Sequence, residues 1–426
     1  MKKSIHYITL GCKANQYDTG AMEALLLAQG HSTTMAVEKA DVLVVNSCTV
    51  TAESDRKTRQ TVRRLRKQNP TALLIVTGCS AQKDGAAYLD MGADVVLGNA
   101  HRSSILSAVE ETNRGEKRNM VTPMVQMPYE ELGPGEVHRT RGYLKIQDGC
   151  DRHCTYCIIP LVRGPIRSRK LADIVAEAAH LIARGVPEIV LTGIRLISFG
   201  RDTGQSLLDA VDAISQLPGD YRIRLGSLDP DEVDEPFIRR AAGMEKLCNH
   251  YHLSLQSGSD TVLKRMGRKY DTRLFAQVVA QLRALDAHVG ITADVLTGFV
   301  GETEAEHQET MAFVRAMALS RIHVFPYSRR AGTAADKMEG HLPAAIKKAR
   351  GQALIRVGEE LERAFAFGQI GTATQAIFEE QTGEAMVGYT RNYTRVQMPF
   401  MKNGAGRLLP VQLVEEMDGV ALCRPV

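Results

Sequence analysis

Tryptophan is absent from the 426 residues, and aromatic residues amount to only 5%. Any stacking on nucleobases must therefore fall to Tyr, Phe, His or Arg. No apolar run approaches the roughly 18 residues that a membrane helix needs. Neither charge sign dominates: 53 Lys and Arg against 49 Asp and Glu leave +4, so affinity for polyanions has to be sought in local clusters. The opening MKKSIHYITLGC mimics a lipoprotein signal. Its apolar stretch is shorter than the usual core of about 7–15 residues and is interrupted by His6 and Thr9. A cytoplasmic protein without membrane attachment is expected. What is present is ordinary globular material, 44% hydrophobic and 24% charged, enough for about two to four domains. Eight cysteines without a secretion signal argue for metal or catalytic chemistry rather than a disulfide framework.

The first third alternates strand and helix. SIHYITL, DVLVVNS (41–47), ALLIVTG (72–78) and DVVLG (94–98) read as strands with helical patterns between them. This predicts an α/β domain over 1–115 with a doubly wound parallel sheet. Residues 116–138 lack periodicity and hold Pro123, Pro128 and Pro134, which predicts a linker. The alternation resumes over 139–367. GYLKIQD, EIVLTG, RIRLGSL, YHLSLQS, VGITADVLTG and RIHVFPYS are six strand candidates, which fit a partial (βα)6 barrel, with an open six-stranded sheet as the alternative. The tail, 368–426, has short alternating segments and Gly or Asn turns, which suggests a small all-β barrel.

Chemistry concentrates in the cysteines. Cys150, Cys154 and Cys157 form C-x3-C-x2-C directly after a predicted strand. Zinc prefers four ligands. His153 is a sterically awkward fourth, because it adjoins Cys154. An iron–sulfur cluster held by three thiolates instead leaves one iron open to substrate. A zinc site remains the alternative on spacing alone. Cys12, Cys48 and Cys79 are distant in sequence, yet ITLGC, VVNSC and IVTGC each place the thiol just past a strand. The carboxyl ends of parallel strands form one rim, so three strands can deliver three thiols to a point. Buried packing cysteines are the alternative. Cys248 and Cys423 lack such partners and read as small apolar residues.

The central triplet, with Tyr156 before its last cysteine, resembles the radical S-adenosylmethionine (SAM) superfamily. TLGCKANQYD, NSCTVTAESDRKTRQ and GCSAQ resemble the amino-terminal domain of the methylthiotransferases. CTYCIIPLVRGPIRSR, LTGIRLISFG, HLSLQSGSDTVLKRM, GFVGET and FPYSRRAGTAA extend that resemblance, and the tail is similar to the RNA-binding TRAM domain. The resemblance implies two [4Fe–4S] clusters, one on Cys150, Cys154 and Cys157 that binds SAM, the other on Cys12, Cys48 and Cys79. It implies methylthiolation at C2 of an adenosine in the tRNA anticodon loop. GCKANQYD and CTVTAESDRKTRQ are most similar to the subfamily acting on N6-threonylcarbamoyladenosine (t6A) at position 37. Isopentenyladenosine, a ribosomal-protein aspartate, or a non-catalytic iron–sulfur protein that binds RNA are the alternatives. A reduced flavodoxin-type or similar electron donor is the implied partner.

Strand-end polar groups are the candidates for SAM contacts: Thr192 and Gly193, Gln256 and Ser257, Asp294 and Tyr327, with Tyr156 beside the cluster. His250 and His252 read as satisfied barrel histidines. For RNA or substrate the candidates are Arg163, Arg167 and Arg169 after the triplet, and Arg391, Tyr393 and Arg395 in the tail. The tail is not basic overall, with five Lys or Arg against six Asp or Glu. Seven basic residues between Arg56 and Lys67 crowd one helix. Thr297, Val300, Gly267, Arg195 and Phe199 depart from the family pattern. Arg195 is the residue expected to pair with the carboxylate of the threonylcarbamoyl group.

Overall fold

The structure, a computed structural model, describes residues 2–125 and 127–426; Met1 and Gln126, the latter within the expected linker, lie outside them. The first sheet is built from β1 (Ser4–Thr9), β2 (Ser32–Thr33), β3 (Val42–Ser47), β4 (Leu73–Gly78), β5 (Val95–Leu97) and β6 (Arg118–Met120). Its order is β2-β1-β3-β4-β5-β6 and every pair is parallel. Helices cover both faces, so VLVV in β3 and LLIV in β4 are continuous apolar runs, fully buried between two separate apolar clusters. The two edge strands are too short and too polar to stand out in the sequence. Strand β6 adds Arg118–Met120 to this sheet from within the segment expected to be linker.

Beyond β6 the chain is held closely. Leu132 packs on Tyr17 and Ala21, and the Glu136 amide donates to the Gly20 carbonyl at 3.0 Å.

The central region carries β7 (Arg141–Lys145), a hairpin of β8 (Gln147–Asp148) and β9 (Arg167–Ser168), then β10 (Glu188–Thr192), β11 (Arg222–Leu225), β12 (Ser227–Leu228), β13 (His250–Gln256), β14 (Gly290–Thr297) and β15 (Arg321–Pro326). Parallel pairing runs β7-β10-β11, and then β12-β13-β14-β15. Strands β11 and β12 are one strand interrupted at Gly226. The six βα units therefore make an incomplete barrel in two arcs, with a large apolar cluster between strands and outer helices. Strands β16 (Ala373–Thr382), β17 (Ala385–Thr390), β18 (Arg395–Pro399), β19 (Leu408–Met417) and β20 (Val420–Pro425) close into a small barrel around Phe378 and Val396. Among the described residues no helix is long and apolar enough to cross a membrane.

Candidate active site

The thiols of the first sheet meet at its carboxyl rim. Cys12 follows β1 and precedes the helix Lys13–Ala28, Cys48 follows β3, and Cys79 starts the short helix Cys79–Lys83 after β4. Cys48 Cβ lies 3.1 Å from where a Cβ on Gly11 would stand, which brings it beside Cys12. Burial pushes the Cys48 thiol up to about 11, and the neighbouring Cys79 and Cys12 add to the rise. Asn15 braces the group, accepting from the Cys12 thiol at 3.2 Å and donating to Asn46 Oδ1 at 2.8 Å.

The second trio sits on the loop after β8. Gly149 opens that loop at φ +77°, where an added Cβ would stand 1.8 Å from the Pro165 carbonyl oxygen, so only glycine fits. The Cys150 amide donates to Gly164 at 2.9 Å, and the Cys157 amide to Cys154 at 3.0 Å. Burial lifts the Cys157 thiol to about 12, with Cys154 and Cys150 contributing. Arg268 Nη1 stands 3.3 Å from the Cys154 sulfur.

The donor chemistry decides what such trios can hold. Among the described residues no three His, Cys, Asp or Glu side chains surround a point as one metal ion requires. Three thiolates leave a structural zinc one ligand short, whereas a cluster of irons can be held by three. Ligation needs thiolates, so loading must release protons, from the raised Cys48, Cys150 and Cys157 thiols among others.

The two trios are structurally joined. Cys79 packs against Ile158 and Val162, in the segment directly after Cys157. Arg163, fully buried, donates from Nε to the Cys79 sulfur at 3.1 Å and from Nη1 to Asp148 at 3.0 Å. Lys145 joins Asp18 at 2.7 Å and Asp148 at 2.8 Å, and Arg102 lies 3.3 Å from Asp18. Burial opposes charge on Asp148, but Arg163, Lys145 and Arg102 outweigh it and hold the carboxyl well below the usual range. On the Cys48 side, Arg330 donates to Thr49 Oγ1 at 2.6 Å and pairs with Asp55.

A chamber of about 440 Å³ opens between the sheet rim and the barrel. Cys12 and Lys13 line it from one side. Thr192, Gly193 and Asp294 line it from the other. His252 Nε2 is 3.2 Å from Asp294, and His250 and His252 both reach Thr292 Oγ1, at 3.0 and 2.8 Å. His252 is thus bonded at both ring nitrogens, whereas the buried Nδ1 of His250 has no partner among the described residues, and both rings face the chamber. Lys13 is solvent-accessible, yet the surrounding walls lower its ammonium pKa; Tyr393 opposes that shift, and Arg141 and Arg224 add to it.

Other candidates are placed differently. Gln256 ends β13 at φ +66° beside a register shift. Ser257 is buried and bonded to Thr310 at 3.1 Å. Tyr156 and Tyr327 share an apolar cluster with Phe299, away from the chamber lining.

The arginines expected to touch RNA or substrate mostly point inward. Arg163 is spent on Cys79 and Asp148, Arg167 donates to the Arg163 carbonyl at 2.7 Å, and Arg169 pairs with Glu131 and Glu177. Arg195 pairs with Asp229 at 3.1 Å and also with Asp151 and Glu232. Three carboxylates neutralise it, so its guanidinium is not available to a substrate carboxylate. Arg391 donates to the carbonyls of Glu245 and Leu247 at 2.6 and 2.7 Å, which docks the small barrel on the larger one. Tyr393 stacks on His250 with ring centroids 4.7 Å apart, beneath Arg224. Arg395 alone of these six arginines and Tyr393 is exposed. The helix Ala52–Gln68 buries Asp55, Thr58, Val62 and Leu65, and leaves Arg56, Lys57, Arg59, Arg63, Arg64 and Lys67 exposed.

Sequence reasoning missed the Glu188 cluster. This fully buried carboxylate takes Arg222 at 2.6 Å and Arg224 at 2.8 Å, and Arg141 lies 3.6 Å away. The signal was present in RIRL, where two arginines at period two must share one face of a strand.

Comparison with known proteins agrees with this anatomy. Residues 4–98 match the family described as Uncharacterized protein family UPF0004, and residues 144–314 match the Radical SAM superfamily. The chain is similar to the threonylcarbamoyladenosine tRNA methylthiotransferase MtaB of Thermotoga maritima, 36% identical over 99% of this chain and 97% of that one. The enzyme of the same name from Bacillus subtilis is also 36% identical, over 97% of this chain and 94% of that one. Among solved structures, the radical SAM methyltransferase TsrM of Kitasatospora setae shares the fold, with a TM-score of 0.58 and 14% identity over 79% of this chain and 77% of that one.

Proposed function

The chain belongs to the methylthiotransferase family of radical SAM enzymes, and from that premise we propose that it converts t6A at position 37 of tRNA to its 2-methylthio form. Carbon 2 of adenine has no acidic hydrogen and is a poor electrophile, so acid–base groups alone cannot place sulfur there. A [4Fe–4S] cluster with SAM supplies, when bound, the radical that removes the C2 hydrogen, and a second cluster supplies the sulfur. Cys150, Cys154 and Cys157 would hold the first, and Cys12, Cys48 and Cys79 the second.

The remaining work falls to the chain. Arg268 sets positive charge against Cys154, and Arg163 does the same at Cys79. Thr192, Gly193 and Asp294 offer polar contacts for SAM from the barrel side of the chamber. The protein walls confine the base and limit water, which keeps a reactive radical from side reactions. Arg395 and the exposed basic face of Ala52–Gln68 provide phosphate contacts for the anticodon arm.

One observation carries this reading: Cys12 from the sheet and Thr192, Gly193 and Asp294 from the barrel border a single chamber. Its test is anaerobic reconstitution with mass spectrometry of tRNA nucleosides. The wild type should bind roughly eight irons per chain, and either triple Cys→Ala variant roughly four. Cells lacking the protein should lose the methylthio group from t6A alone. Persistence of that group, or zinc in place of iron, would refute the assignment.

A further inference from the structure

Among the described residues, one cationic side chain of the chamber has no carboxylate partner. Two cationic side chains line it, Arg224 and Lys13. Arg224 is saturated: Nε and Nη2 each lie 2.8 Å from Glu188, and Nη1 donates to the Arg391 carbonyl at 2.9 Å. The one lining carboxylate, Asp294, is taken by His252 at 3.2 Å. Lys13 has no carboxylate at ion-pairing distance among the described residues. It directly follows Cys12, a candidate ligand of the sulfur-supplying cluster, and is solvent-accessible within the chamber.

The substrate proposed above has a matching feature. C2 and C6 of adenine flank N1, so a substituent on N6 lies along the same edge of the base as C2. When C2 is presented toward Cys12, that substituent is brought beside the neighbouring residue. In t6A the substituent ends in a carboxylate, whereas an isopentenyl group carries no charge. A site that pairs a charged group rejects the analogue lacking it, because the site's own polar group is then left unpaired.

We propose that Lys13 pairs with the carboxylate of the threonylcarbamoyl group and is the residue that selects this substrate, an inference that rests on the function proposed above. The role falls to Lys13 rather than Arg195, which three carboxylates already hold. SAM also bears a carboxylate, so the test omits SAM.

Equilibrium binding to the reconstituted full-length protein is measured with three anticodon stem-loops. One carries t6A, one carries its carboxamide analogue, and one carries unmodified adenosine. The wild type is expected to bind the t6A RNA about tenfold more tightly than the carboxamide RNA. K13M and K13Q, each checked for iron content, should bind the two alike, and K13R should restore the preference. Two variants keep the test alive if one fails to fold. A preference that survives in K13M and K13Q overturns the proposal. A wild type with no preference that still methylthiolates t6A in tRNA overturns the Lys13 assignment alone. A wild type that does neither overturns the proposed function with it.

Discussion

Arg163, from the barrel half of the molecule, donates to the sulfur of Cys79, from the sheet half, at 3.1 Å. The same guanidinium reaches Asp148, two residues before Cys150, so one side chain touches the framework of both trios. Replacing it with alanine leaves Asp18 and Asp148 buried with less compensation. Arg163→Ala should destabilise the protein by about 3–5 kcal/mol. Chemical denaturation measures this, and Arg163→Lys, which keeps charge but loses the fork, should fall between.

Glu188 provides a pH test. Burial opposes its ionisation, but Arg224 and Arg222 prevail, so its folded pKa lies well below the ordinary carboxylate value. A depressed carboxylate stabilises the fold fully above its unfolded pKa of about 4.3, and the contribution fades as pH falls from there toward the folded value. The stability gap between wild type and Glu188→Gln should therefore be constant from pH 7 to about pH 5 and shrink below about pH 4. Urea unfolding at pH 7, 5 and 3 gives the comparison, and a gap that does not change with pH would contradict it.

Gly149 sets the cysteine loop against Pro165. Gly149→Ala forces the backbone apart at a left-handed position, which should displace Cys150 while leaving the first sheet intact. Iron bound on reconstitution should drop by about half, from roughly eight to roughly four per chain. Full loading would show that the loop tolerates the change.

The exposed basic face of Ala52–Gln68 is separable from the fold. Arg56, Lys57, Arg63 and Arg64 are all exposed. Replacing all four with glutamine should leave stability nearly unchanged, since none is buried. Each lost phosphate contact should lower the slope of log affinity for tRNA against log salt by about 0.7–0.9. An unchanged slope would place the RNA elsewhere.

Much of the architecture was legible because its signals are local. Period-two and continuous apolar runs mark β3, β4, β10 and β14 within a residue or two, and C-x3-C-x2-C needs only its own spacing. Strands β2 and β6 escaped notice because two or three polar residues have no periodicity to detect, and neighbouring strands alone make them strands. The arginines show the same limit more sharply. Arg163, Arg167 and Arg169 read as contacts for RNA and Arg195 as a partner for the substrate carboxylate, whereas acidic partners tens of residues away, Glu131 for Arg169 and Asp151 and Asp229 for Arg195, draw the last two inward.

The sequence by itself determined the parallel sheet, the six central βα units and the small terminal barrel, since each is written in short-range pattern and spacing. Only the tertiary structure decided which positive charges are consumed inside the protein and which remain for a ligand. That outcome depends on pairings between distant segments, such as Asp148 with Arg163 and Glu188 with Arg224, and a buried charge is stable only where the fold supplies its partner. Among the described residues Lys13 was left without one, beside Cys12 and facing the chamber.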